Sequence, residues 1–289
     1  MRRAAWLGLA LGLLVACARA LSPAAAGAQG HGEKPSLRTS ALKINVDDME
    51  KALSFYTGKL GFEVADRAEH PRRVVLKTDD RVKLILCKVG RLQKAGPSDT
   101  QVGLTLQVND LDEAIRRMKA AGVEFAESER RKEGVGYAIS VRDPFGRRIS
   151  LMHQTVVKVE PFREPRLYNF GFLVPDMEAA RDFYSNRLGF VVRSEKYLPL
   201  DLPLGHADKT FGFMLHYRPG VRPIKSEYPR AEPFYTVVFE AEDLRQSLAA
   251  LKGLGVENIT RKPSEGGRAG AVVFEDPFGN VSEIVQADK

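Results

Sequence analysis

Three observations predict an α+β fold built from four copies of one strand–helix–strands unit. First, the segment DMEKALSFYTGKLGFEV (48–64) returns as DMEAARDFYSNRLGFVV (176–192), identical at ten of seventeen positions, and repeats on this scale signal a duplicated structural unit. Second, Asp110-Leu111, Lys119, Gly122-Val123-Glu124 and DPFG (143–146) recur as Asp243-Leu244, Lys252, Gly255-Val256-Glu257 and DPFG (276–279). Third, each block follows a stretch of alternating apolar residues, so a period of two gives way to a period of 3.6. The first pair of blocks is offset by 128 residues and the second by 133, which places an insertion in the second copy, in the proline-rich stretch between Arg218 and Pro233.

Leu42, Ile44 and Val46, like Phe170, Phe172 and Val174, alternate as expected of strands packed on one face. Met49, Ala52, Leu53 and Tyr56 then fall at i, i+3, i+4 and i+7, one stripe of a helix, with Asp48 at its start where a negative charge suits the helix dipole. Leu-Gly-Phe (60–62 and 188–190) ends each such helix, the glycine supplying the positive-φ stop. Leu104, Leu106 and Val108 open the second half of the first copy. A helix is expected from about Asp110 to Ala121, a return to strand at Gly122-Val123, and a tight DPFG turn into a last strand.

The 289 residues carry 44% hydrophobic and 28% charged side chains, a balance that excludes a disordered chain and a multi-span membrane protein. Cys17 and Cys87 stand too far apart in setting for a disulfide framework or a thiolate zinc site. The formal charge of +7 is not a nucleic-acid signal. Five Lys/Arg against Glu33 lie in residues 1–38, 21 basic residues face 17 acidic ones in 39–155, and 156–289 comes to −1. No basic stripe results, and no nucleic-acid partner is expected.

Arg2 and Arg3 precede an apolar run from Ala4 to Ala16, too short for a permanent span and suited to a secretory signal. Leu14-Val15-Ala16-Cys17 resembles a bacterial lipobox, which implies acylation at Cys17 and a membrane contact through that N-terminus alone; competing small-residue cleavage sites end at Ala20 and Ala28 and would release a soluble periplasmic protein. The expected organisation is a leader over 1–20, a flexible Ala/Gly/Pro-rich tether over 21–37, and domains over 38–155 and 166–287.

The order strand, Asp-Met-Glu, Phe-Tyr, Leu-Gly-Phe, Asp-Pro-Phe-Gly, met twice, resembles the vicinal oxygen chelate superfamily of glyoxalases, bleomycin resistance proteins and extradiol dioxygenases. The resemblance implies paired βαβββ modules, four modules making two domains, each with a cup. It also implies a divalent metal held by His or Gln early in a module's first strand and Glu late in its last. In the first domain those positions fall on Ala41, Gly103 and Ser150, which leaves no ligand set. In the second they fall on Asn169, Thr236, Glu283 and, in the middle strand, Met214, of which only Glu283 matches.

His216 lies two residues from Met214 on the same strand face, and His206 sits in an adjoining loop. The expectation is therefore an exported protein that binds a small organic molecule in its second cup through Asn169, Met214, His216, Thr236 and Glu283, with no cofactor. One alternative is a metal-dependent lyase, isomerase or dioxygenase with Glu283 as ligand or catalytic base and His216 or His206 replacing missing ligands. Another is a structural or partner-binding envelope lipoprotein. The residues themselves identify no small molecule and no oligomeric state.

Overall fold

The computed structural model describes residues 34–78, 82–94, 96, 101–206, 212–256, 259–262 and 270–287. Cys17, with the rest of residues 1–33, lies outside the described residues. The first module is β1 (Leu37–Val46), α1 (Met49–Leu53), β2 (Val64–Asp66), β3 (Arg73–Leu76) and β4 (Lys83–Lys88). The second is β5 (Val102–Gln107), α2 (Leu111–Ala120), β6 (Arg131–Glu133), β7 (Gly136–Arg142) and β8 (Arg148–Gln154). The third is β9 (Arg166–Val174), α3 (Met177–Arg181), β10 (Val191–Val192), β11 (Asp201–Gly205) and β12 (Phe213–Tyr217). The fourth is β13 (Tyr235–Ala241), α4 (Leu244–Gly253), β14 (Thr260–Lys262), β15 (Ala271–Glu275) and β16 (Val281–Gln286). The α+β fold of four βαβββ modules is therefore what the chain adopts.

The same local chemistry starts all four helices. Asp48, Asp110, Asp176 and Asp243 sit in extended conformation at the N-caps and accept backbone N–H bonds from the first turn, each cap contributing about 1 kcal/mol. After α1 and α3 the backbone widens into π-helical segments, Ser54–Lys59 and Asp182–Arg187, which the 3.6-residue stripe did not foretell. Gly61 (φ 94°) and Gly189 (φ 83°) then turn the chain back, as expected. Gly122 has positive φ, but the expected strand at Gly122-Val123 is absent; Phe125 makes only an isolated bridge to Val141.

The modules do not pair in chain order. One eight-stranded sheet runs β14-β15-β16-β13-β1-β4-β3-β2 and the other β10-β11-β12-β9-β5-β8-β7-β6. The first sheet thus joins module one to module four, and the second joins module two to module three. At the first seam β1 is antiparallel to β13, with Lys43 opposite Thr236 and Ala41 opposite Val238. At the second, β5 is antiparallel to β9, with Gly103 opposite Gly171 and Thr105 opposite Asn169. This corrects the expectation that each sequence repeat closes its own cup.

Contacts on the helix side hold each repeat together. Tyr56, fully buried, donates its hydroxyl to Asp143 of the first DPFG turn at 3.1 Å, and Tyr184 does the same to Asp276 at 2.8 Å. One continuous core contains the helix-facing residues of both sheets. Within it Phe172, Phe190, Phe213, Phe239 and Phe274 meet in stacked, tilted and edge-on pairs between 4.9 and 6.3 Å, so that strands of both sheets share one aromatic cluster. The long connection from β12 to β13 contains the predicted insertion and packs on the linker after β4, where Gln93 donates to the carbonyls of Glu232 and Lys225.

Candidate functional site

With the helices covering one side of each sheet, the opposite faces carry the candidate residues. On the first sheet, Ala41, Ile85 and Val238 form a small apolar cluster with Cys87 and Val285 against it. Glu283, 3% exposed, stands in register beside Val238. The ammonium of Lys43 donates to its Oε2. Thr236, also buried, accepts at 3.1 Å from the amide of Asn45, which donates as well to the carbonyl of Pro233. This face combines an apolar cluster with the internal ion pair of Lys43 and Glu283.

The second sheet is built differently. Gly103 and Gly171 lie side by side, so neither of these two positions carries a side chain of its own. Ser150, Thr105 and Asn169 follow one another across β8, β5 and β9 in register. The carbonyl oxygen of the Asn169 side chain is buried and makes no hydrogen bond within the chain. A guanidinium, that of Arg131, donates to Ser150 at 3.0 Å and to Ser140 at 3.1 Å while pairing with Glu127 and Glu133. Further along, Gln107 donates to Gln154 at 2.9 Å and Gln154 to the Tyr168 hydroxyl at 3.1 Å.

His216, with 17% of its side chain exposed, closes this face on the β12 side. Its Nδ1 lies 2.7 Å from Oδ1 of Asp201, the residue opposite it on β11. The ring leans over Gly171: a Cβ there would stand 2.8 Å from its Cδ2 and 2.9 Å from its Nε2, and 2.3 Å from the carbonyl of Met214. No residue with a side chain fits at 171. Burial by itself would raise the Asp201 carboxyl, but the hydrogen bond and charge of His216, with the charge of Arg218, outweigh it and hold the group below its usual range. Burial, with the neighbouring Tyr197, raises the Tyr168 hydroxyl.

The five predicted binding residues do not converge. Asn169, Met214 and His216 belong to the second sheet, Thr236 and Glu283 to the first. His206, offered as a replacement ligand, is engaged elsewhere. It is buried, its Nε2 accepts the backbone N–H of Thr39 at 2.8 Å, and its ring packs edge-on against Phe190. Lys43, Arg131 and Asp201 were missed, because each acquires its role from a partner across a strand seam or loop that sequence spacing does not reveal.

The sequence pattern of the Glyoxalase/Bleomycin resistance protein/Dioxygenase superfamily matches residues 38–151 and 166–284. The chain belongs to this superfamily. It is similar in fold to glyoxalase I from Zea mays (19% identity, TM-score 0.62, covering 87% of this chain and 92% of that one). A putative dioxygenase from Bacillus subtilis is also similar (11% identity, TM-score 0.59, 89% and 87% covered). In sequence, 127 residues are 29% identical to the uncharacterized protein YurT of Bacillus subtilis, covering 40% of this chain and 94% of YurT.

Members of the superfamily usually hold a divalent metal on the faces just described, and the residues here do not fit one. Glu283 stands beside Val238 of the aliphatic cluster of Ala41, Ile85 and Val238, and its carboxylate holds the Lys43 ammonium. On the other sheet Ser150 takes the carboxylate position and meets the Arg131 guanidinium. A metal needs several N/O donors converging on one point, and among the described residues no group of three or more His, Cys, Asp or Glu does so.

Proposed function

We propose that this protein is an exported, metal-independent member of the superfamily that binds a small organic molecule on the open face of the second sheet, between β5, β9 and β12. The observation that carries the reading is the buried, unpartnered carbonyl of Asn169 beside a floor of two glycines. A buried acceptor without a partner costs about 1–3 kcal/mol, a cost that a ligand donating to it removes. Thr105, Ser150 and His216 offer further polar contacts around the open position at Gly103. The first sheet favours a structural role, since the carboxylate of Glu283 is engaged by Lys43. The same ion pair speaks against Glu283 as a free catalytic base or metal ligand.

Export rests on the leader: a charged start, a short apolar run and the lipobox-like Leu14-Val15-Ala16-Cys17. Acylation at Cys17 would tie the protein to the envelope membrane, and cleavage after Ala20 or Ala28 would leave it soluble in the periplasm. Ligand-observed NMR with a panel of small organic acids, phenols and amides tests the binding reading. Hits should weaken at least tenfold in Asn169→Leu and persist in Lys43→Met and in Thr236→Val. Equal losses in both groups would refute the assignment to the second sheet.

A further inference from the structure

Asp201 and His216 do more on this face than a surface pair does. Asp201 approaches Nδ1, which fixes the ring and leaves Nε2 as the free nitrogen, directed over Gly171 where a side chain would otherwise stand. Arg218 also lies near the pair, its Nη1 3.6 Å from the same Asp201 oxygen. A carboxylate behind an imidazole stabilises the imidazolium formed when the far nitrogen takes a proton. Asn169 lies two residues from Gly171 on the same strand and opposite Thr105, so a molecule seated over Gly103 lies beside the His216 ring that covers Gly171 and next to the Thr105–Asn169 pair along the strands.

We infer that His216 is a proton acceptor for the bound molecule, positioned by Asp201, and that the ligand is a weak acid whose conjugate base is a delocalised anion. The inference rests on the binding reading above. The step is a simple transfer: the ligand's acidic X–H bond breaks, its electron pair stays on the ligand, and the proton bonds to Nε2. The product is a ligand anion against an imidazolium that is itself paired with Asp201. A neutral imidazole takes protons only from acids of strength comparable to its own conjugate acid, which excludes simple alcohols and selects acids with delocalised anions. Tyr168, with Tyr197 near it, and Leu173 and Met214 on the neighbouring strands provide apolar surface for a planar ligand of that kind.

The probe is 4-nitrophenol, whose neutral and ionised forms absorb at different wavelengths, titrated into the full mature chain at a pH below its own ionisation. Wild type should bind it and display the nitrophenolate spectrum. His216→Gln should bind at least tenfold more weakly, as expected for loss of a charge-assisted hydrogen bond, and only as the neutral phenol. Asp201→Asn, which keeps the imidazole, should retain binding with a smaller ionised fraction, a spectroscopic change that a purely structural role for Asp201 would not produce. Gly103→Phe should abolish binding, because a Cβ there meets only an ordinary contact, 3.9 Å from the Gly171 carbonyl, and a larger side chain fills the floor. Binding of the neutral form by wild type, or equal ionisation by His216→Gln, overturns the proton-acceptor role while leaving the binding reading standing. No binding by wild type, or undiminished binding by Gly103→Phe, overturns the site itself.

Discussion

Removing the guanidinium of Arg147 should destabilise the fold by about 3–5 kcal/mol, the range for breaking a buried ion pair from one side. Arg147 is 3% exposed and Asp143 4%. Nε donates to Asp143, Nη2 lies at ion-pair distance from the same carboxylate oxygen, Nη1 donates to the carbonyls of Asn45 at 2.7 Å and Phe234 at 3.2 Å, and the guanidinium lies 4.9–5.5 Å from the ring centres of Phe145, Phe234 and Tyr235. One side chain therefore ties the DPFG turn of module two to β1 and to the start of β13. Arg147→Ala strands the Asp143 carboxylate with three donors, the Tyr56 hydroxyl and the backbone N–H groups of Phe145 and of residue 147 itself. The second repeat supplies a control: Asn280 holds the matching place and donates to Asp276 at 2.8 Å. Arg147→Asn should restore part of the Asp143 contact but neither carbonyl contact, and so cost about 2–3 kcal/mol. Asp143→Asn combined with Arg147→Ala should cost less than the two single changes together. Urea unfolding of each variant, read as a midpoint shift at constant slope, measures all of this. A loss below about 1 kcal/mol for Arg147→Ala, or strict additivity in the double variant, would refute the reasoning.

Burial raises the carboxyl of Asp276 above its usual range despite the donors around it. A carboxyl raised in the native state binds more protons there than in the unfolded chain, so its contribution is fully present below the unfolded value of about 3.9 and is lost as pH rises through the native one. Asp276→Asn should therefore flatten the fall of stability with pH in that window, measured by urea midpoints from pH 3.5 upward; an unchanged slope would show that Asp276 does not titrate there. Wild type should fractionate with the envelope, whereas Cys17→Ser should remain unprocessed or appear soluble. Identical soluble fractions for both, with a mature N-terminus at Leu21 or Gln29, would show that Cys17 is not acylated.

The sequence disclosed whatever depends on neighbours along the chain. Asp48, Asp110, Asp176 and Asp243 cap helices where the repeats placed them, and Gly61 and Gly189 turn the chain where a positive φ was expected. It did not disclose which modules share a sheet. The first strand of any module presents a similar apolar alternation, and pairing depends on a seam between strands almost 200 residues apart, such as Lys43 opposite Thr236. That is why five candidates assigned to one cup divide between two faces. The roles of Lys43 and Asp201 were hidden for the same reason: Glu283 lies 240 residues from Lys43, and Asp201 meets His216 only through the β11–β12 register.

Cross-pairing also explains how one duplicated chain ends with two unlike faces. Had each repeat closed on itself, both sheets would join a Phe-Tyr-type module to a DPFG-type module of the same copy. Here the outer pair of modules supplies Lys43 and Glu283, so the ion pair on the first sheet links strands near the two ends of the folded chain. The inner pair supplies Gly103 and Gly171 at a single register position, where the His216 ring, held by Asp201, covers Gly171 and leaves Gly103 open. In both sheets a basic side chain of the protein itself, Lys43 at Glu283 and Arg131 at Ser150, stands at the superfamily's carboxylate position. On the second sheet the side-chain carbonyl of Asn169, in register with Thr105 and Ser150, is left unsatisfied, and a ligand that donates to it gains that hydrogen bond.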